Sequence, residues 1–104
     1  MPMGHVITLT FTHDTPEHVF TALSASLDKL ASACQGIESY WHGKDLRLRE
    51  TTADYAVTAI FRDHDAFTAY LAAPAHVRLN AELVQPYLAE KSSVQFDVPA
   101  TTHP

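Results

Sequence analysis

The sequence has few of the features that mark disulfide-linked, membrane-spanning or nucleic-acid-binding proteins. Its 104 residues include a single cysteine, Cys34, which cannot form an internal disulfide and so indicates a reducing compartment. Only seven residues are lysine or arginine, they are dispersed, and the formal net charge is −5. No apolar run reaches the roughly 20 residues of a membrane-spanning helix, and no signal-peptide pattern is recognisable. We therefore expect a cytoplasmic protein that binds neither nucleic acid nor membrane.

Histidine is comparatively frequent, but the spacing of most of the seven histidines does not favour a metal site. A zinc site normally shows short, paired spacing of its ligands. Five of the histidines are scattered through turns, a helix and the tail: His13, His18, His42, His64 and His103. We expect no bound metal.

The composition is that of one globular domain, with 46% hydrophobic and 18% charged residues. We place the domain at residues 1–98 and expect a mobile C-terminal tail at residues 99–104, which lacks any periodicity. A core of this size is small, so burying a second surface against a partner would add stability.

Hydrophobic periodicity predicts the order strand, helix, strand, strand, helices, strand. Such an order is typical of an α+β sandwich, in which helices cover one face of an antiparallel sheet. The predicted elements are a strand at 5–11, a helix from 16 to about 33, a strand at 37–49 with a bulge or tight approach near Gly43, a strand at 55–61, a short helix capped by Asp63 that ends at Ala73, a helix from Pro74 that is loosened at Pro86, and a strand at 94–98.

The predicted sheet has two faces with different side chains, and neither is strongly charged. We assign the larger apolar residues to the helix side: Ile7, Leu9, Phe11, Val57, Phe61, Val94 and Phe96. The opposite face then holds Val6, Thr8, Thr10, Ala56, Thr58, Ile60, Ser93 and Gln95. Because a solvated face is normally more polar, this face predicts a homodimer that pairs through its sheets. The alternative is a monomer with a threonine-rich, solvated face.

Three side chains from separate elements could meet on the helix side of the sheet. His5 shares a strand face with the apolar residues, Tyr70 shares a helix face with Phe67, and His76 lies just inside the next helix. If they converge, they form an apolar pocket with a few polar groups, the usual form of a small-molecule site. The alternative is that they only satisfy one another in the core, or that His76 only caps its helix.

Four segments carry a further signal: His5-Val6-Ile7, Trp41-His42-Gly43-Lys44-Asp45, Pro74-Ala75-His76 and Phe96-Asp97-Val98. Together they resemble the stress-responsive dimeric α/β-barrel (Dabb) family over roughly residues 4 to 98, and within it polyketide cyclases of the olivetolic acid cyclase type. The resemblance implies a ferredoxin-like βαββαβ sandwich whose protomers pair into a dimeric α+β barrel. It also implies a cofactor-independent, aldol-type cyclisation of a polyketide-like or aromatic substrate.

Carried over by residue, the resemblance implies His76 as the base, Tyr70 as hydrogen-bond donor to the developing oxyanion, and His5 as a group that positions a neighbouring oxygen. Neither metal nor organic cofactor is needed for this chemistry. The implied substrate-binding residues are Ile7, Leu9, Tyr55, Val57, Leu71, Leu79 and Tyr87. Ala73 and Tyr55 stand where the olivetolic acid cyclase has histidines, so the polarity of the pocket differs from that of the plant enzyme.

Two other functions are compatible with the same residues. The chain could be a stress-associated, ligand-binding dimer without catalytic activity, in which the histidines and tyrosine only support the pocket. It could also be a cofactor-independent monooxygenase-like barrel, as related barrels are. A deep cavity lined by His5, Tyr70 and His76 would favour catalysis, whereas a filled core would favour the binding protein.

Overall fold

The computed structural model describes residues 1–99, in which a four-stranded antiparallel sheet carries helices on one face. Its elements are β1 (Met3–Phe11), α1 (Glu17–Ala33), β2 (Ile37–Lys44), β3 (Tyr55–Phe61), α2 (His64–Ala72), α3 (Pro74–Leu79), a π-helical turn (Asn80–Val84), a 3-10 turn (Gln85–Tyr87) and β4 (Leu88–Asp97). The predicted ferredoxin-like α+β fold is thereby confirmed. Apart from Pro99, the tail expected at 99–104 lies outside the described residues.

The sheet has the order β2-β3-β1-β4, so β1 and β3 are central and β2 and β4 are edges. In the antiparallel register, His5 of β1 lies between Ala59 of β3 and Gln95 of β4. Alternate residues of a strand point to opposite faces. All three of these residues therefore point to the same side of the sheet, which is the side covered by helices.

Helix α1 supplies the largest part of the helical layer. Its buried residues Val19, Leu23, Leu27 and Leu30 recur every three or four positions and form one stripe against the sheet. The three leucines of this stripe belong to the same core cluster as Phe61, which is fully buried at the end of β3. The helix ends at a turn in which Gly36 adopts φ +85°, a left-handed conformation that favours glycine.

The helical layer is less regular at its C-terminal end. Asp63 caps α2 by accepting a hydrogen bond from the backbone N–H of Ala66, and Pro74 starts α3, both as predicted. The helix expected from Pro74, carrying residues up to Tyr87 and loosened at Pro86, is regular only as far as Leu79. A π-helical and a 3-10 turn follow, and Pro86 lies in the second of these.

Three predictions about the edge strands are also wrong. Strand β2 ends at Lys44 rather than at residue 49, because the following segment forms a loop in which Leu46 and Leu48 are exposed. The register shift in β2 falls between Ile37 and Ser39, and Gly43 has open space around it. Strand β4 begins at Leu88, six residues before its predicted start.

The two faces of β4 are the reverse of the prediction. Gln95 pairs with His5 and lies on the helix side, whereas Val94 pairs with Val6 and faces away from the helices. Phe96 also lies on this side of the sheet, which carries no helices and is called the open face. Its ring covers Gly4 so closely that a Cβ added to Gly4 would be 2.7 Å from Cζ of the ring. The prediction assigned Val94 and Phe96 to the helix side because they are apolar, but the face of the sheet away from the helices is apolar as well.

The described residues form a molecule only 18 Å thick, which is one sheet and one layer of helices. The open face of the sheet therefore has no cover in the single chain. It carries three large, exposed apolar side chains: Trp41, Val94 and Phe96. Among residues 1–99, no helix is both long and apolar enough to span a bilayer.

Candidate functional site

His5 is held in a defined orientation on β1. It is buried, and its ring lies 4.9 Å from the ring of Phe67, measured between centroids. The side-chain amide of Gln95 donates a hydrogen bond to Nδ1 of His5 at 3.0 Å and another to the hydroxyl of Ser93 at 2.7 Å. A neutral His5 that accepts at Nδ1 carries its proton at Nε2. Burial lowers the pKa of His5, and the nearby His76 lowers it further, so the neutral ring is favoured.

Tyr70 is buried on α2, and its hydroxyl is paired with a second phenol. The hydroxyl oxygens of Tyr40 and Tyr70 are 2.7 Å apart, so one of them donates to the other. Burial raises the pKa of both groups, and for Tyr40 the contact with Tyr70 raises it further. The same hydrogen bond opposes the rise in the pKa of Tyr70. When Tyr40 is the donor of the pair, the proton of Tyr70 is available to a third group.

His76 lies beside Tyr70 at the start of α3. The centroids of the two rings are 4.8 Å apart. Burial is the main cause that lowers the pKa of His76; a hydrogen bond with the backbone of Leu71 opposes it, and Lys91 adds a smaller lowering effect. His76 is half-buried, so its ring reaches from the apolar layer toward the surface. It is a neutral base at physiological pH.

The structure thus brings the three predicted residues together on the helix side of the sheet. The ring of Tyr70 is 6.3 Å from that of His5 and 4.8 Å from that of His76, again between centroids. The ring centroid of Phe61 is 5.0 Å from that of Tyr70, so Phe61 packs directly against the cluster. A neutral imidazole, a protonated phenol and a second imidazole in an apolar layer are together able to accept and donate a proton without a charged ground state.

The cluster is closely packed in the single chain. His5 and Tyr70 are buried, and the three residues of the cluster line none of five clefts on the described surface. One cleft of about 300 Å³, between α2 and the end of β4, reaches the immediate neighbours of His5, since Phe67 and Gln95 line it.

The residues predicted to bind substrate are distributed over a wider area. Leu9, Val57 and Leu79 belong to the buried core, with Ile7 and Tyr87 packed against it. The side chain of Leu71 is exposed on α2.

Tyr55 is buried but lies at the other end of the sheet from His5. It pairs with Leu9, four positions along β3 from the Ala59 that pairs with His5, a separation of about 13 Å.

Two residues that contact the cluster, Tyr40 and Gln95, were not predicted from the sequence. Gln95 was assigned to the wrong face of β4. Tyr40 was not assigned to the site. It pairs with Ala59 and therefore lies on the helix side of β2, on the face opposite to Trp41. Among residues 1–99, no three His, Cys, Asp or Glu side chains are grouped so that they could hold a metal ion.

Residues 3–100 match the family model described as Stress responsive A/B Barrel Domain, Dabb. The chain has no significant match among curated proteins. A dimeric ferredoxin-like protein of unknown function from Thermobifida fusca is 28% identical, with a TM-score of 0.86 over 94% of this chain and 92% of that one.

Two enzymes share the fold at lower identity. Hydroxynitrile lyase from Passiflora edulis is 13% identical, with a TM-score of 0.80 over 98% of this chain and 97% of the lyase. SnoaB, a cofactor-independent oxygenase from Streptomyces nogalater, is 21% identical in the mutant form that was solved, with a TM-score of 0.73 over 99% of this chain and 97% of the oxygenase. At these identities the likeness concerns the fold.

Proposed function

This chain belongs to the stress-responsive A/B barrel (Dabb) family, and from that premise we propose that it is a cofactor-independent enzyme that cyclises a polyketide-like or aromatic small molecule by an aldol-type reaction. The observation that carries the proposal is the position of Tyr70, which is buried with its ring between those of His76 and His5. Burial holds both histidines neutral and the phenol protonated. These are the protonation states that the reaction needs at neutral pH.

In the proposed reaction, a free nitrogen of His76 takes a proton from a CH₂ group between two carbonyls of the substrate. The resulting enolate oxygen accepts a hydrogen bond from Tyr70, whose proton points to the substrate when Tyr40 is the donor of the phenol pair. The enolate carbon attacks a distant carbonyl carbon of the same molecule, and the new alkoxide recovers the proton from His76. His5, which carries its proton at Nε2, donates to a neighbouring substrate oxygen.

We propose that the active form is a homodimer that pairs through its sheet faces. The open face carries Trp41, Val94 and Phe96 with exposed fractions of 73%, 56% and 51% in the single chain. Large exposed apolar patches of this kind mark interaction surfaces. The Thermobifida fusca protein, which has the same fold, is dimeric.

The test is turnover of linear poly-β-ketone substrates, followed by chromatography and mass spectrometry for the cyclic aldol, which has the mass of the substrate, and for the dehydrated product that this aldol forms by losing water. Tyr70→Phe should lower turnover about a hundredfold, since a lost oxyanion donor commonly has an effect of that size. His76→Asn should remove the basic group from the pH profile. His13→Gln, which changes an exposed histidine of the loop after β1, is the matched control. Cyclisation at an unchanged rate in Tyr70→Phe would remove Tyr70 from the mechanism.

A second candidate is a ligand-binding dimer without catalytic activity, and the close packing of the cluster favours it. His5 and Tyr70 are buried, and Phe61 and Phe67 pack against one another and against the cluster. A binding protein would retain a phenolic or polyketide-like ligand unchanged and show the same affinity in His76→Asn. Consumption of oxygen during incubation with a phenol would instead indicate the monooxygenase-like alternative.

A further inference from the structure

A second hydrogen-bonded array lies on the helix side of the sheet, at the end distant from His5. Nε2 of His42 is 2.7 Å from Oδ1 of Asp28, and Nδ1 of the same ring is 2.7 Å from the hydroxyl oxygen of Tyr55. The array joins three elements, since Asp28 comes from α1, His42 from β2 and Tyr55 from β3. It shares no residue with the cluster of His5, Tyr70 and His76.

The direction of these hydrogen bonds follows from the donors available. An ionised carboxylate only accepts, so Nε2 of a neutral His42 carries the proton and donates it to Asp28. Nδ1 is then unprotonated and accepts from the hydroxyl of Tyr55. This is the carboxylate, imidazole and hydroxyl order of a serine hydrolase triad, with a phenol in place of serine.

The burial of the array changes steadily from one end to the other. Tyr55 is 2% exposed, the side chain of His42 is 7% exposed, and that of Asp28 is 73% exposed. The array therefore connects a buried phenol with bulk water by two hydrogen bonds.

A cleft of about 440 Å³ between α1 and β2 leads to Tyr55, and it is lined by Glu17, Phe20, Thr21, Ser24, Ala25, Asp28, Gly43, Lys44 and Tyr55. The charged groups that face it are Glu17 and Asp28 of α1 and Lys44 of β2. Nζ of Lys44 is 2.9 Å from the carboxylate of Glu17 and 4.6 Å from the centroid of the Phe20 ring. The rings of Phe20 and Tyr55 are nearly parallel, with an interplanar angle of 18°. An aromatic ligand in the cleft could stack on them.

We infer that Asp28, His42 and Tyr55 form a second acid-base site, which binds a small phenol or enol in the α1–β2 cleft and takes up its hydroxyl proton. The ligand O–H bond breaks and its proton passes to the oxygen of Tyr55. At the same time, the original proton of Tyr55 passes to Nδ1 of His42. The products are a ligand anion and an imidazolium ion beside Asp28, so charge balances and no oxidant or reductant is needed. This inference does not depend on the proposed function.

The probe is para-nitrophenol, whose phenolate is yellow and whose phenol is colourless, at a pH below the pKa of the free probe. We expect binding to raise its phenolate-to-phenol ratio about tenfold, the effect of an opposite charge formed within a few ångströms. His42→Gln and Tyr55→Phe should lose the colour change. His18→Gln, an exposed histidine of α1, is the matched control and should keep it.

A second measurement needs no variant. In ¹⁵N spectra of the unaltered protein, saturating probe should move the Nδ1 signal of His42 to that of a protonated nitrogen, while the signals of His5 and His76 stay in place. A full colour change in Tyr55→Phe, or an unmoved His42 signal at saturation, would overturn the inference. Loss of the colour change in Tyr70→Phe but not in Tyr55→Phe would also overturn it, because the probe would then lie at the other cluster.

Discussion

The tautomer of His5 depends on the side chain of Gln95, and Gln95→Glu should move the proton of the neutral ring from Nε2 to Nδ1. The amide of Gln95 donates to Nδ1 at 3.0 Å, so the neutral ring of His5 carries its proton at Nε2. A carboxylate at this position can only accept, so Nδ1 must then carry the proton. The negative charge also favours the imidazolium ion. Because Gln95 is exposed in the single chain, solvent screens this charge, and we expect the pKa of His5 to rise by about one unit.

Histidine ¹⁵N spectra over a range of pH measure the tautomer and the pKa in the same experiment. Gln85→Glu adds the same charge at an exposed site in the 3-10 turn and is the matched control. His5 should be protonated at Nε2 in the unaltered protein and in this control, and at Nδ1 in Gln95→Glu. An unchanged tautomer and pKa in Gln95→Glu would show that Gln95 does not hold the ring.

Three further predictions concern stability and assembly. Burial lowers the pKa of His5 and His76 below about 6.5, the value expected in the unfolded chain, so the unfolded state binds more protons in acid than the folded state does. The free energy of unfolding should therefore fall as the pH drops from about 6.5 through the pKa values of the folded state. Urea midpoints that stay constant over this pH range would contradict the prediction. Phe61→Ala should lower the free energy of unfolding by about 3–5 kcal/mol, since the side chain is fully buried, and a loss below about 1 kcal/mol in a urea titration would mean that the site collapses around the cavity. Phe96→Glu should give monomers in sedimentation experiments whereas Val77→Glu, on the exposed side of α3, should not; an intact dimer in the first variant would exclude the open face as the interface.

The elements that could be predicted from the sequence are those with one buried face. Helix α1 shows its stripe every three or four residues, and β3 alternates strictly between buried and half-buried positions from Tyr55 to Phe61. Local periodicity is enough for such elements. Strand β4 has no such pattern before Val94, because as an edge strand it is exposed on both faces in the single chain. Its first six residues therefore could not be recognised.

Which face of the sheet a side chain of an edge strand points to depends on how the strand pairs with its neighbour. The local sequence does not determine it. Val94 and Phe96 are apolar because they lie on the open face, which itself carries large apolar side chains. When both faces of a sheet are apolar, the pattern of one strand fits either face equally well. Only the antiparallel register with β1, in which Gln95 is opposite His5, decides between them. The contact of Gln95 with His5 was missed for this reason.

The predicted cluster, in contrast, depends on residues whose faces are fixed by strong periodicity. His5 shares its face with Leu9 and Phe11, and Tyr70 shares its buried face with Ala66, so their convergence could be predicted. Tyr40 could not be assigned as readily, because β2 is an edge strand of mixed exposure. Its hydroxyl is nevertheless the hydrogen-bond partner of the Tyr70 hydroxyl.

Burial of this cluster sets the protonation states of its titratable groups. Removing a group from water disfavours its charged form, which lowers the pKa of a histidine and raises that of a tyrosine. The pKa of His76 is lowered and that of Tyr70 is raised, so both are neutral at physiological pH and neither leaves an unpaired charge in the apolar layer. A neutral imidazole can accept a proton and a neutral phenol can donate one. An acid-base pair therefore arises here without a buried carboxylate, and replacing Phe61 or Phe67 by a polar side chain should weaken both the core and the separation of the two pKa values.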